Sequence, residues 1–376
     1  MSVVALLALL GVAGTLAVFG GDDDSLSDDG GATDEDPSSG IDVIATAGTV
    51  EVSGGDDTIT IAQEGDASLT VDAGAGDDTI SFTDFSDSVT VHAGDGADVI
   101  VGSNASRADI DLGSGDDLLT MSENDVYVNG GAGNDTIMVE GAWGSVLSGG
   151  AGDDHITAGS VSGDIVRIDG GEGNDTLSNE ARDFANLNNV KFTGGAGDDV
   201  IIAGGVPQGG TGYVVTADGG DGDDTIIMRT DEFLLYDVSG YGPAVVTGGD
   251  GADVFILDPS ETVPDTNTLT TAKLDQLADD GVLQDGILTL SLGTITDFDP
   301  AEDSIHIDGD ADADSVLATA RLEMMAAGQT ELILTYETGS TPSYQVTLTI
   351  QGGPVTFDDI TFLGTQMPEL IAPPAA

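Results

Sequence analysis

One phrase recurs through this chain and constrains its fold more than any other feature. Its fullest form is Gly130-Gly131-Ala132-Gly133-Asn134-Asp135-Thr136-Ile137, or Gly-Gly-x-Gly-x-Asp-x followed by a large apolar residue. It occurs ten times, anchored on Asp57, Asp78, Asp98, Asp117, Asp135, Asp154, Asp175, Asp199, Asp224 and Asp253. The steps between anchors are 21, 20, 19, 18, 19, 21, 24, 25 and 29 residues. A fixed period of this size is the mark of stacked supersecondary units rather than of one globular core.

Each unit carries two short apolar pieces. After Asp78, Thr79-Ile80-Ser81-Phe82 alternates, a polar stretch follows, and Ser88-Val89-Thr90-Val91 alternates again before Gly94-Asp95-Gly96. Alternation with period two is a strand signal. Strand, turn, strand and turn within one repeat make a single coil of a parallel β-solenoid. Ile80, Phe82, Val89 and Val91 are expected to point inward, with Ile137, Val139, Val146 and Leu147 in the comparable stretches of a later coil. The fold class is therefore all-β: a right-handed parallel β-roll, or β-solenoid, of about ten coils over 41–258.

The glycines have a mechanical reason, because tight turns between stacked strands need positive φ and close backbone approach. Six copies keep all three: Gly130, Gly131 and Gly133; Gly149, Gly150 and Gly152; Gly170, Gly171 and Gly173; Gly194, Gly195 and Gly197; Gly219, Gly220 and Gly222; Gly248, Gly249 and Gly251. The copies at Asp78, Asp98 and Asp117 open instead with Ala73, Ala93 and Leu112, and the copy at Asp57 keeps only its Gly-x-Asp end in register. Beside these turns a carboxylate recurs at a fixed offset. Carbonyl and carboxylate oxygens from two neighbouring coils suit a hard divalent cation, Ca²⁺ above all. Asp78, Asp98, Asp117, Asp135, Asp154, Asp175, Asp199, Asp224 and Asp253, with the glycines of the six full copies, are the candidate metal ligands. At position five of the phrase, Asp77, Asp116, Asp153, Asp198 and Asp223 read as solvated charge or as support behind the ligands.

Composition bears on partners. Against 69 Asp and Glu stand 7 Lys and Arg, leaving a net charge of −62, while apolar residues still make up 39%. That sign excludes nucleic acid, whose phosphates require Lys and Arg. Cations are the natural counterpart. The gaps between ten stacked turns allow up to nine divalent ions, which would lower the charge only to −44. With no Cys there are no disulfides, thiolate ligands or thiol nucleophiles.

The Gly-Gly-x-Gly-x-Asp-x-(apolar) phrase resembles the calcium-binding nonapeptide of repeats-in-toxin (RTX), or hemolysin-type, proteins. The resemblance spans roughly residues 50–375. It includes Asp253-Val-Phe-Ile-Leu and Ile295-Thr-Asp-Phe-Asp-Pro-Ala-Glu-Asp303-Ser-Ile305, which look like the C-terminal portion of such proteins. It implies Ca²⁺ held between turns and export through type I secretion machinery by an uncleaved C-terminal signal. The phrase comes once per coil here, so one edge is expected to bind metal while the other, as at Ser162-Gly163-Asp164, only turns.

The flanks differ in character. Residues 1–20 contain an apolar run from Val3 to Phe19 with no preceding Lys or Arg, read as a targeting segment or membrane anchor. Residues 21–40 read as an acidic disordered linker. Residues 259–376 are expected to form a C-terminal cap of mixed β structure with a few short helices, the latter over Thr268–Asp280 and Val316–Ala327. Strands are expected at Ile287–Leu292, Ile295–Phe298, Glu331–Glu337, Tyr344–Ile350 and Val355–Phe362.

No catalytic motif is found. There is no His-Glu-x-x-His and no Gly-x-Ser-x-Gly, and His92, His155 and His306 are the three histidines. The expected function is that of a non-enzymatic, extracellular, calcium-binding repeat protein associated with a surface or matrix, with a cell-surface or glycan partner. An adhesin, a surface-layer component or a carbohydrate-active enzyme remains the alternative, with its site on the insertions at 204–212 and 229–243 or in 259–364.

Overall fold

The computed structural model describes residues 18–20, 41–45, 48–52, 54–62, 68–83, 88–103, 107–122, 125–142, 144–159, 165–179, 190–203, 215–229, 244–258, 283–284, 287–308, 315–325, 328–338, 343–363 and 367–371. The targeting segment lies outside these residues except for Val18–Gly20, which pairs antiparallel with Ile41–Ala45. The linker, the insertions at 204–212 and 230–243, and the helix expected over Thr268–Asp280 also lie outside them.

The repeat folds as its period requires. Among the described residues two long sheets run side by side, one of 14 strands and one of 16. The strand after each repeat Asp belongs to the first sheet: Thr79–Thr83, Val99–Ser103, Leu118–Ser122, Thr136–Glu140 and so on to Val254–Asp258, neighbours pairing in parallel. The strand that enters each glycine pair belongs to the second sheet, as Val126–Ala132 lies between Arg107–Ser114 and Val146–Ala151. The phrase is thus the corner at which every coil crosses from one sheet to the other. The architecture is a parallel β-solenoid.

Between the sheets lies one thin apolar core. Ile80, Phe82, Val89, Val91, Ile137, Val139 and Leu147 are all buried in it, as expected from alternation. Val146 is not; it faces outward on the second sheet and pairs in register with Arg167. Adjacent residues of a strand point to opposite faces, so Val146 and Leu147 cannot both be inside. The inward place beside them belongs to Ser145, fully buried, whose Oγ accepts the N–H of Val126 at 3.0 Å.

Two glycines of every phrase carry positive φ, for example Gly131 at 109° and Gly133 at 131°. A Cβ on Gly133 would strike the carbonyl of Gly115 in the coil before it. In the copies from Asp98 onward, sterics therefore fix glycine at positions two and four twice over, by conformation and by the approach of the preceding turn.

Parallel stacking continues past Asp258. Ile287–Phe298 pairs in parallel with Ala244–Asp250, and Ser304–Asp308 with Val254–Asp258. A further layer, Ser343–Gly352 with Ile360–Leu363, stacks on those two in the same sense. Antiparallel pairs join it there: Leu283–Gln284 with Ile287–Phe298, Thr330–Thr338 with Ser343–Gly352, and Ser315–Met324 with Thr330–Thr338. The C-terminal region is mixed β, as expected.

Two expectations there are corrected. The helix read over Val316–Ala327 is the strand Ser315–Met324. A register irregularity between Leu317 and Thr319 sets the buried residues Leu317, Ala320 and Leu322 three and then two apart, a spacing that imitates helical periodicity in the sequence. The strand read over Val355–Phe362 begins as a single-turn 3-10 helix, Phe357–Asp359. A capping box causes it: the Thr356 hydroxyl accepts the N–H of Asp358 at 3.3 Å, and Asp359 accepts the N–H of Thr356 at 2.7 Å.

Phe192 is fully buried between the sheets, and Phe192→Ala is expected to cost about 3–5 kcal/mol. Lys191 beside it is exposed and stands in register with Arg167, a like-charge pair. Lys191→Ala is expected to stay within about 0.5 kcal/mol of the parent. Urea denaturation of the three proteins checks both, and equal midpoints would refute the assignment of inner and outer faces.

Candidate metal centre

The repeat Asp immediately precedes the strand of the first sheet, and the turn swings its side chain inward. All ten are buried, none above 2% exposed. Surface turns ordinarily leave an Asp in water, so something inside the turn engages these. It is the main chain of the coil before. The N–H of Asp57 donates to Oδ1 of Asp78 at 2.7 Å, that of Asp78 to Asp98 at 2.7 Å, and that of Asp98 to Asp117 at 2.7 Å. The relation continues through Asp135, Asp154, Asp175, Asp199, Asp224 and Asp253 at 2.7–2.9 Å. Meanwhile the carbonyl of each Asp accepts from the coil after it, as Asp135 accepts the N–H of His155 at 2.8 Å. One buried carboxylate ladder runs the length of the repeat.

Position five forms a second ladder at the exposed edge, with the opposite sense. Oδ1 of Asp116 accepts the N–H of Asn134, Oδ1 of Asn134 that of Asp153, and Oδ1 of Asp153 that of Asn174, at 2.7–2.8 Å. Asp77, Asp198 and Asp223 do the same for Ala97, Asp223 and Ala252. These residues are solvated, but they also tie coil to coil. Sequence alone could not separate that role from plain surface charge.

The sequence also missed the end of the buried ladder. The N–H of Asp253 donates to Oδ1 of Asp303 at 3.0 Å, and Oδ2 of Asp303 accepts the N–H of Asp299 at 2.7 Å. Asp297 accepts the N–H groups of Gly248 and Gly249, both at 3.0 Å. The turn Asp297–Asp303 thus stands where an eleventh phrase would, without its glycines. The acidic residues were visible there; their equivalence to the phrase was not, because the spacing to Asp253 is 50 residues.

What the ladder leaves over defines the site. Oδ2 of Asp78, Asp98, Asp117, Asp135, Asp154, Asp175, Asp199, Asp224 and Asp253 is buried and has no hydrogen-bond partner. In the six full copies this oxygen lies where the Cβ of the opening glycine would be, as Asp135 Oδ2 lies at Gly130. The carbonyl of Gly149 in the next coil faces the same space. The second and fourth glycines shape the turn, and the first leaves room at the carboxylate. Among the described residues no three Asp, Glu, His or Cys side chains converge as a metal-binding group. Any metal here must draw on main-chain oxygens as well as carboxylates, which a hard cation does readily.

Burial without a partner disfavours charge. It pushes Asp78, Asp135 and Asp224 up to about 7, and Asp117, Asp154, Asp199 and Asp253 up to about 6. The same cause raises Asp98, Asp175 and Asp303. The donated N–H works against burial in each case, and neighbouring carboxylates of the ladder mostly add to it. The three histidines take no part: His92 and His155 lie exposed on the outer faces, His92 at 3.9 Å from Asp111, and His306 is in the strand Ser304–Asp308.

No protein-family model matches the chain, and no curated protein matches it in sequence. Among the described residues no helix is long and apolar enough to cross a membrane.

The ladder predicts a pH dependence for the metal-free chain. A carboxyl whose pKa is higher folded than unfolded holds its proton in the fold, so its stabilising contribution is complete below about pH 3.9 and is lost as pH rises through about 6–7. With chelator present, the urea midpoint is expected to fall between about pH 4.5 and about pH 7.5. Asp135→Asn keeps the Oδ1 acceptor and replaces the unpartnered oxygen by a donor facing the Gly149 carbonyl, so it is expected to reduce that fall. A midpoint rising with pH would refute the account.

Proposed function

We propose that this chain is a non-enzymatic, exported Ca²⁺-binding repeat protein of the RTX kind, whose solenoid is completed by metal outside the cell. One observation carries the reading: nine buried carboxylate oxygens with no hydrogen-bond partner, set at glycine-lined turns in a chain of net charge −62. A buried unpaired carboxylate is among the most costly groups a fold can contain. A divalent cation supplies the missing charge and accepts carboxylate and carbonyl oxygens together.

In this reading Oδ2 of the repeat Asp and the carbonyls of the opening glycines would hold the ion. Bound Ca²⁺ would neutralise the ladder and fasten one coil to the next. Folding and binding are then one equilibrium, because the site exists only when adjacent coils are in register. Extracellular Ca²⁺ modules bind at about 10⁻⁴–10⁻³ M, which would keep the chain loose in the cell and ordered outside it. The absence of Cys fits an exported chain stapled by metal instead of disulfides. Surface or matrix association and the type I route follow from the resemblance and the residual negative charge.

Circular dichroism of the full chain is expected to show strand signal growing as Ca²⁺ rises through the sub-millimolar to millimolar range, and reversing with chelator. No change with Ca²⁺ would sink the proposal. Asp154→Ala and Asp175→Ala, which remove the buried acceptors for Asp135 and Asp154, are expected to raise the Ca²⁺ midpoint more than Asp56→Ala, which removes only the exposed acceptor for Asp77. Equal shifts would mean that the buried oxygens are not the ligands.

A further inference from the structure

The ten rungs share one hydrogen-bond pattern but not one cavity. In the six full copies the opening residue is glycine. A Cβ placed there would run into Oδ2 of the Asp five residues on: Gly130 against Asp135, Gly149 against Asp154, Gly170 against Asp175, Gly194 against Asp199, Gly219 against Asp224, and Gly248 against Asp253. At Gly130, Gly170, Gly194 and Gly219 the carbonyl of the next opening glycine borders the same space. None of these opening glycines has positive φ, so backbone conformation does not demand glycine there. What excludes a side chain there is the Asp carboxylate itself, joined at four of the six by the next carbonyl.

In the earlier coils that room is filled. Ala73, Ala93 and Leu112 hold the corresponding position ahead of Asp78, Asp98 and Asp117, and all three are fully buried. Register carries the backbone through both groups without a break, since Gly74 pairs with Gly94, Gly94 with Gly113, Gly113 with Gly131, and Gly131 with Gly150. A side chain therefore stands in the early coils where the late coils have the Asp Oδ2 and, in four of them, the carbonyl of the next opening glycine. Ca²⁺ takes its oxygens at about 2.3–2.6 Å, a distance that leaves no place for a methyl group beside the carboxylate.

Resting on the Ca²⁺ reading above, we infer that the solenoid is divided into a metal-loaded part and a metal-free part. Six ions enter the coils that open with Gly130 to Gly248. The coils at Asp78, Asp98 and Asp117 take none: their Oδ2 is equally buried and unpartnered, but the buried side chain of Ala73, Ala93 or Leu112 holds the place where a second oxygen would have to converge on an ion. The metal boundary falls between Leu112 and Gly130. The early coils then form a stretch whose order answers weakly to Ca²⁺, and the late coils a stretch whose order depends on it.

Counting Ca²⁺ on the loaded full-length protein by native mass spectrometry tests this, with circular dichroism to confirm that each variant folds. About six ions per chain are expected from the number of open cradles. Asp98→Asn is expected to leave the count unchanged, whereas Asp199→Asn and Gly194→Ala each lose one ion. Ala93→Gly, which opens a cradle at Asp98, is expected to gain one, and this arm stands even where Gly194→Ala fails to fold. Nine ions on the parent protein, or loss of an ion in Asp98→Asn, would overturn the division while leaving the Ca²⁺ reading intact. No bound ion at all would overturn both.

Discussion

The hydrogen bond from the N–H of each repeat Asp to Oδ1 of the next is the interaction on which the rest depends. It fixes register at the corner of every coil, where the chain passes from one sheet to the other. A one-residue slip would turn every inner side chain to the outer face. Around that bond the glycines set the turn, the apolar residue two places after the Asp enters the core, and the strands stack in parallel. The core is shared from coil to coil, so each coil depends on the neighbours it stacks against.

The same bond creates the molecule's main electrostatic strain. It places a carboxylate inside the turn but uses only one of the two oxygens. The other lies buried without a donor in nine successive coils, each close enough to its neighbours for their charges to add. Hydrophobic burial alone does not remove that term. Neutralisation would, by a proton at low pH or, in the proposed reading, by a cation at neutral pH, and the two would compete for the same oxygen. A charge of −62 raises the local concentration of cations around the fold and favours the second.

Much of the fold was legible in the sequence because the period is short and the alternation strict. Ile80, Phe82, Val89 and Val91 could be placed inside from their spacing, and the structure buries each of them. Legibility failed where local irregularity mimicked another period. The offset at Leu317–Thr319 made a strand look helical, and a capping box at Thr356 turned the start of a strand into a 3-10 turn. It failed also at the solenoid's end, where Asp303 supplies a rung without the glycines that mark the others. The direction of the repeat Asp was hidden for a different reason. Sequence gives its offset in the turn, but only stacking reveals that it points inward to a neighbouring N–H.

The two ladders of this one chain offer an internal comparison. At position five the acceptor is Asp in Asp116, Asp153, Asp198 and Asp223, with bonds of 2.8–2.9 Å, but Asn in Asn134 and Asn174, with bonds of 2.7 Å. Ala97 and Ala252 end the exchange of side-chain acceptors there without breaking the stack. A single oxygen is all that position needs. At position six the rung also uses a single oxygen, yet all ten copies are Asp and none is Asn. Asn would make the same rung, and its amide would avoid the cost of an unpaired buried carboxylate. The buried ladder therefore keeps a carboxyl that its hydrogen bonds do not require, and in the six full copies its second oxygen lies against the opening glycine, beside which no Cβ stands.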